Sequence, residues 1–445
     1  MSEILDNLVI GGGLMGSSAA WHLAELGQSV LLLEKQGENY NSGSSYGEAR
    51  ITREGDRNSD TLSYMHKKAV TETLKLVDYL NIAFPGKGFS MDTIYRTTGV
   101  NFIYDASEAQ EVVEAMNGQN VNYQVAVDSD EAKKLFALDL PAGSMILREE
   151  KRYTGTLNPQ KLIDWLHRAI KAKKQVVSYN QQVLSFNFSQ EGSLYEVKVR
   201  NLQKDESYTL KARKVIVAAG PYVPGLLKEV APYFTQLIDP KRVFLAFYQI
   251  RTSFYDQLSQ AQKNSVDDIL PVVNISQGGA EEYFGMIERF DPKGHPIFKI
   301  GGHYRRNEIE EMDRVWSLPL SDDEKTWSHE VLVRHLNLTR LGITKDDVEF
   351  VEGYSCVYSL TGNEIPYVTP LLSEDRSGTN TDVIVIGGLS GIGAKGAMAY
   401  GKIAANLLLG LGDPGQEYAD ALRALGLSRL KSDLGLGDTE SSAIY

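Results

Sequence analysis

One cysteine in a chain of 445 residues, Cys356, leaves no partner for an internal disulfide and too few thiolates for a zinc knuckle or an iron–sulfur cluster. Seven histidines, among them His22, His66 and His167, offer no HExxH and no paired spacing for a metal, so no metal is expected. Basic charge is short as well: 46 Lys and Arg stand against 58 Asp and Glu, a net charge of −12, and no basic stripe is present to displace counterions from nucleic-acid phosphates. That balance does not exclude an anionic small molecule, because a pocket can be positive inside an acidic surface. Long apolar runs are missing too. The run 383–386 is too short for a bilayer and breaks into glycines, so no membrane span is expected. The first residues are acidic, without the basic region or cleavage site of a secretory signal, and Ala443-Ile444-Tyr445 is not a peroxisomal address. A cytoplasmic enzyme acting on a small molecule is the expectation.

What is present is most informative at the start. Leu8, Val9 and Ile10 read as a buried parallel strand, Gly11-x-Gly13-x-x-Gly16 follows at once, and Gly27 closes a helix with Ala20, Leu23 and Ala24 on one face. Gly11 allows a tight turn, Gly13 lets backbone approach a pyrophosphate, and Gly16 lets helix and strand pack closely, while the helix N-terminus offers amides and partial positive charge at Leu14 and Met15. Glu34 ends the second strand, 29–33, about twenty residues downstream, where a ribose 2′-hydroxyl is held. A lone glycine pattern also occurs in plain turns; the strand-turn-helix-strand context is what points to a dinucleotide. NAD and FAD are both open at this point.

Two later segments share that character: the strand 215–219 breaking at Gly220, and 383–386 running into Gly387-Gly388-Leu389-Ser390-Gly391-Ile392-Gly393 before a helix over 394–409. Helical periodicity also marks 159–172. Dispersed buried strands of this kind predict one parallel sheet assembled from separated pieces, and the length predicts a second domain. The fold class expected is α/β: a Rossmann-like nucleotide domain from 1–86, 150–230 and 352–430, and a mixed-sheet α+β substrate domain from 87–149 and 231–351. Residues 431–445 read as a tail.

Four motifs then carry a family resemblance. Gly43-Ser44-Ser45-Tyr46-Gly47-Glu48-Ala49-Arg50-Ile51-Thr52-Arg53, Phe298-Lys299-Ile300-Gly301-Gly302-His303, Cys356-Val357-Tyr358-Ser359-Leu360-Thr361 and Gly388-Leu389-Ser390-Gly391-Ile392-Gly393-Ala394-Lys395 resemble, in order and spacing, the segments of monomeric sarcosine oxidase, N-methyltryptophan oxidase and pipecolate oxidase. The resemblance implies FAD on a glutathione-reductase-type domain, attached through Cys356. It implies that Arg53 and Lys395 bind a substrate carboxylate, that Arg50 lies close to the flavin, and that Lys299 promotes its reaction with oxygen. It carries Lys35, Ser44, Gly220, Gly388, Gly391 and Gly393 into the cofactor site, with Lys395 at its edge, and makes His303 and Tyr358 candidates for orienting the amine.

Elementary chemistry supports each assignment. An arginine fork beside a second cation holds a carboxylate. Fixed positive charge stabilises the anion made when an electron reaches oxygen. A thiolate can add to the 8α carbon of an electrophilic flavin tautomer to give a thioether, although a lone cysteine taken by itself reads as a small buried hydrophobe. Ser45 and Tyr46 replace two histidines of sarcosine oxidase, and Phe284 stands where a pocket tyrosine is expected; Tyr46 and Phe284 are thus expected to shape a substrate pocket for a secondary, N-alkylated or cyclic amino acid rather than sarcosine itself. The implied chemistry is C–N oxidation with hydride to N5 and oxygen going to peroxide, in a monomer or small homo-oligomer. The alternatives are a flavin dehydrogenase with another acceptor, a non-catalytic flavoprotein of the same fold, and a colourless NAD enzyme.

Overall fold

The computed structural model describes residues 4–39, 42–136, 143–189, 194–264, 272–275, 282–302, 304, 306–335, 342–373, 376–413 and 415–436. The elements that position the site are, in chain order, β1 (Ile4–Ile10), α1 (Leu14–Glu25), β2 (Val30–Leu33), β3 (Arg50–Thr52), α2 (Asp60–Ala83), α3 (Pro159–Ala172), β4 (Glu206–Val217), β5 (Asp239–Ile250), β6 (Tyr283–Phe290), β7 (Pro296–Gly302), β8 (Val348–Leu360), β9 (Thr379–Gly387) and α4 (Gly393–Leu409).

Strands buried on both faces need continuous apolar runs, and the three runs legible in the sequence are neighbours in space. β1 pairs in parallel with β2 (Leu8↔Leu31) and with β4 (Leu8↔Val215), and β4 pairs in parallel with β9 (Val215↔Val383). The glycines that follow β1, β4 and β9 therefore arrive at one edge of the sheet, where open α/β sheets bind their ligands. α1 packs against α4 closely enough that a Cβ on Gly401 would stand 2.2 Å from Ser18 Oγ. Helices Gln416–Leu425 and Leu427–Asp433 continue the chain, with Leu430 in the core and Arg429 donating to the carbonyl of Ile365 at 2.7 Å. The tail expected from 431 thus begins inside a helix, because Leu430 is apolar enough to anchor it.

The second sheet runs in the order β8, β5, β7, β6, Val273–Ile275, Val100–Asp105, Ser144–Glu149, Tyr123–Ala126. β8 lies in this sheet over its whole length, paired with β5 from Asp239↔Leu360 to Ile250↔Val348, so the boundary expected at 352 falls inside a strand. Along these strands alternate residues share a face. Phe284 and Met286 of β6, Lys299 of β7, Leu245 of β5, and Cys356 and Tyr358 of β8 line a cavity of about 1220 Å³ whose other wall is the glycine-bearing edge of the first sheet.

The first turn is built tightly. Gly11 has φ +101°, and a Cβ on Gly16 would lie 1.8 Å from the carbonyl oxygen of Gly11. A Cβ on Gly13 would meet only Ser45 Oγ, at 3.2 Å. Gly16→Ala is therefore expected to lower stability by about 1–3 kcal/mol through overpacking, while Gly13→Ala costs under about 1 kcal/mol; urea unfolding of the two variants, compared with the unsubstituted protein, checks the order.

Candidate active site

Gly13 caps α1 in an extended conformation with no side-chain cap, so the helix opens toward the cavity with backbone amides. One of them, Leu14 N, donates to Ser45 Oγ at 3.3 Å. Glu34 accepts from the amides of Gly12 (2.7 Å) and Gln36 (2.8 Å), and burial raises its pKa against those bonds. Gly12 is part of the turn as well, since a Cβ there would sit 2.8 Å from that of Glu34. Lys35 lines the cavity, paired with Asp313 at 2.6 Å above the Tyr222 ring. A cleft with helix-end amides, glycines that admit backbone and a carboxylate at the ribose position fits a dinucleotide, and its volume exceeds the roughly 300–1,000 Å³ of common small-ligand sites.

At the other end stand four cations. Arg50 is wrapped by the loop before it, donating to the carbonyls of Ser44 (3.2 Å), Ala49 (2.8 Å) and Tyr46. Lys299 is fully buried and donates to Ala49 O and to the Glu288 carboxylate; burial pulls its pKa down to about 8, with Glu288 opposing and Arg50 adding to the fall. Arg53 pairs with Asp56 at 2.6 Å and lies over the Phe102 ring, and its buried Nε has no partner among the described residues. Lys395, at the start of α4, makes no hydrogen bond or ion pair to any described residue; burial first and Arg53 second push its pKa down to about 7.

The cavity also receives Gly11, Gly13, Leu14, Met15, Ser44, Gly220, Gly391, Gly393 and Phe284. Cys356 lies on its wall, its thiol pushed up by burial and pulled back by Arg50 and Lys299. Ser44 Oγ donates to Val357 O at 3.1 Å and ties the first motif to the Cys356 strand.

Three expected residues are not on the cavity wall. Gly16 and Gly388 lie behind it, and Tyr46 turns its ring onto Tyr354, centroids 5.4 Å apart, instead of toward a substrate. His303 lies outside the described residues. The counter-ions were not found by motif reading: Asp56, Glu288, and Glu149, which accepts from the amides of Glu54 (2.9 Å) and Gly55 (3.2 Å) and so fixes the loop after Arg53. A signal existed for Glu288, the acid that interrupts the apolar run Phe284-Gly285-Met286-Ile287 one hairpin before Lys299. Among the described residues, His22, Glu25 and Glu72 could meet around a metal, but Glu72 already holds Lys75 (3.0 Å) and Lys402 (2.8 Å). No helix of the described residues is long and apolar enough to cross a membrane.

Parallel strands ending in glycine turns over a cationic cavity define a dinucleotide-dependent oxidoreductase of the α/β class. The chain belongs to the FAD dependent oxidoreductase (DAO) family, whose model matches residues 6–407, and FAD is its cofactor. It is 25% identical to a probable sarcosine oxidase of Arabidopsis thaliana over 91% of this chain and 88% of that one. With an N-methyl-L-tryptophan oxidase of Yersinia pestis (strain Pestoides F) it shares 23% over 90% and 94%. The fold matches that of NikD, an unusual amino acid oxidase essential for nikkomycin biosynthesis, with a TM-score of 0.69 at 17% identity over 95% and 97% of the two chains.

Lys395 is cationic below about pH 7 and neutral above it. A simple carboxylate lacking an amine should accordingly bind with constant affinity at acid pH and progressively more weakly as pH rises past the Lys395 pKa, which the bound anion itself moves upward. Lys395→Met should weaken binding roughly tenfold to a hundredfold at pH 6, the ~1.5–3 kcal/mol of a charged hydrogen bond, and flatten the profile, as titration calorimetry would record.

Proposed function

We propose that this protein oxidises the C–N bond of a secondary, N-alkylated or cyclic amino acid, and that molecular oxygen takes the electrons and leaves as hydrogen peroxide. The observation that carries the proposal is the Lys395 side chain, without an ion-pair partner among the described residues, beside Arg53, whose Nε is also unmatched among them, in a cavity shared with Lys299. Bound FAD supplies the chemistry of accepting a hydride equivalent at N5 from the carbon next to nitrogen and of giving two electrons to oxygen.

The chain supplies the rest. The amides at Gly13 to Met15 would hold the pyrophosphate and Glu34 the ribose. The glycine turn 388–393 and the start of α4 would place amides and a helix dipole where the flavin gathers negative charge, with Arg50 adding a fixed cation. Arg53 and Lys395 would take the carboxylate. Asp56 pairs with Arg53, which leaves the charged form of Lys395 as the cation of the cradle without an ion-pair partner among the described residues. With the carboxylate fixed, the substrate is presented in one orientation, and the donor carbon of a neutral amine needs no base of the protein. Tyr358, whose hydroxyl burial keeps protonated, can orient the amine, with His303 the second candidate. Lys299 would face oxygen. Cys356 would form a thioether to the 8α carbon, the thiol losing its proton and the methyl group a hydride equivalent that oxygen removes. The names of the two curated relatives, a sarcosine oxidase and an N-methyltryptophan oxidase, support a substrate that bears its reacting carbon on nitrogen.

One observation favours a second reading, a flavin dehydrogenase with a non-oxygen acceptor: the Lys299 charge is paired with Glu288 instead of standing free. Lys299→Met separates the two. The oxidase predicts normal anaerobic bleaching by N-methyl or cyclic amino acids and reoxidation by oxygen slowed at least tenfold; unchanged reoxidation favours the dehydrogenase. Acid precipitation tests the thioether: yellow colour is expected in the pellet and should move to the supernatant in Cys356→Ala, and colour already free in the unsubstituted protein would refute the covalent link.

A further inference from the structure

The buried carboxylate of Glu288 is not among the groups that line the cavity, and only 5% of the residue is exposed. β6 and β7 pair with Met286 opposite Lys299, and the register slips between Ile287 and Arg289, so Glu288 sits at a bulge diagonal to Lys299 and on its face of the sheet. One oxygen accepts from Glu48 N at 2.6 Å, and the other accepts from Ala49 N at 3.2 Å and from the Lys299 ammonium. The backbone of the loop before Arg50 thus clamps the acid in place. Ala49 contributes its carbonyl to the same ammonium, which leaves one N–H of Lys299 for the cavity.

We propose that Glu288 is the positioning residue for Lys299: its carboxylate takes one of the three N–H groups and sets a counter-charge beside the ammonium, the Ala49 carbonyl of the loop it clamps takes a second, and the third faces the flavin side of the cavity. It matters to turnover only if Lys299 has the role given above. The charged and titratable groups that meet Lys299 are Glu288 from β6, Arg50 from β3 and Cys356 from β8, with Tyr354 and Tyr358 of β8 beyond them, next to Arg50. Of these only the Glu288 carboxylate is an anion at neutral pH; the Cys356 thiol is pushed up by burial and the two phenols are raised beyond reach. Burial and Arg50 both disfavour the charged lysine, which titrates near 8 with Glu288 in place. Without that anion its pKa must fall further, and the side chain would be a neutral amine over part of the working range. Shielding by the carboxylate is the opposing effect. A neutral amine brings no positive charge at all, whereas a paired ammonium still brings a donor and part of a charge, so protonation dominates.

The test uses holoenzyme with Glu288→Gln, Glu288→Asp, Lys299→Met and the Gln/Met double substitution. Flavin reoxidation by oxygen is followed from pH 6 to 9, and sulfite binding to the oxidised flavin is titrated over the same range as a readout that needs no turnover, since the sulfite adduct is anionic and reports nearby positive charge. With Glu288→Gln, reoxidation and sulfite affinity, each relative to the unsubstituted enzyme, should come closest to it at pH 6 and fall as the pH rises, at pH 8 by roughly tenfold for each unit by which the lysine is lowered. Glu288→Asp should keep the original profile, and the double substitution should behave as Lys299→Met alone, low at every pH. An unchanged profile for Glu288→Gln, faster reoxidation at all pH values, or a loss in the double substitution beyond that of Lys299→Met would each overturn the proposal. Normal reoxidation in Lys299→Met would instead refute the oxygen role of the lysine, and the sulfite profile of Glu288→Gln would still decide whether Glu288 governs its charge.

Discussion

Four cations taken out of water around one cavity are the constraint on which the rest of the structure depends. Moving a single ammonium or guanidinium into a protein interior costs several kcal/mol after relaxation, and like charges sharing a cavity raise that cost. Each is met differently. Arg50 is satisfied by three carbonyls of its own loop, Arg53 by Asp56, and Lys299 by Glu288 and Ala49. Lys395 has no such partner among the described residues, and its pKa of about 7 expresses that cost.

The fold is arranged so that this concentration of charge is reached from two directions. The first sheet brings three chain segments, far apart in sequence, to one edge as parallel neighbours, so their glycine turns share one rim. The second sheet presents alternate residues of four consecutive strands, β8, β5, β7 and β6, as a facing wall. The first surface offers backbone at its glycine turns and Lys395 at the start of α4, the second offers Lys299, and Arg50 and Arg53 come from β3 and the turn after it. The loop 42–50 joins the two: Leu14 N meets Ser45, Ser44 meets Val357, and Glu48 and Ala49 meet Glu288. Arg50 at its end is therefore fixed relative to both walls.

Buried acids do more than neutralise. Glu149 and Glu288 each accept two or more backbone amides, so each holds a loop as well as a charge balance. Fixed donors and acceptors in a dry site act without reorganising when charge develops, which is the property a flavin site needs. The same arrangement explains why Tyr46 serves the scaffold. Its carbonyl is occupied by Arg50, and its ring continues the aromatic packing of Tyr354 on Phe247, centroids 5.3 Å apart.

The primary structure by itself determined the parts whose signals are local. The glycine turn after β1 and the helix Pro159–Ala172 are periodic or conformational features of a few consecutive residues, and the cations Arg50, Arg53, Lys299 and Lys395 sit in short motifs. Only the tertiary structure decided which partner each buried charge meets. Lys299 and Ala49 are 250 positions apart, Glu288 and Glu48 are 240 apart, and no local periodicity links them. Even for the near pairs, Arg53 with Asp56 and Lys299 with Glu288, it is the loop held by Glu149 and the bulge in β6 that turn the side chains together. Motifs specify chemistry through residue type, whereas electrostatic balance depends on distance and burial, and both of those exist only once the chain has folded.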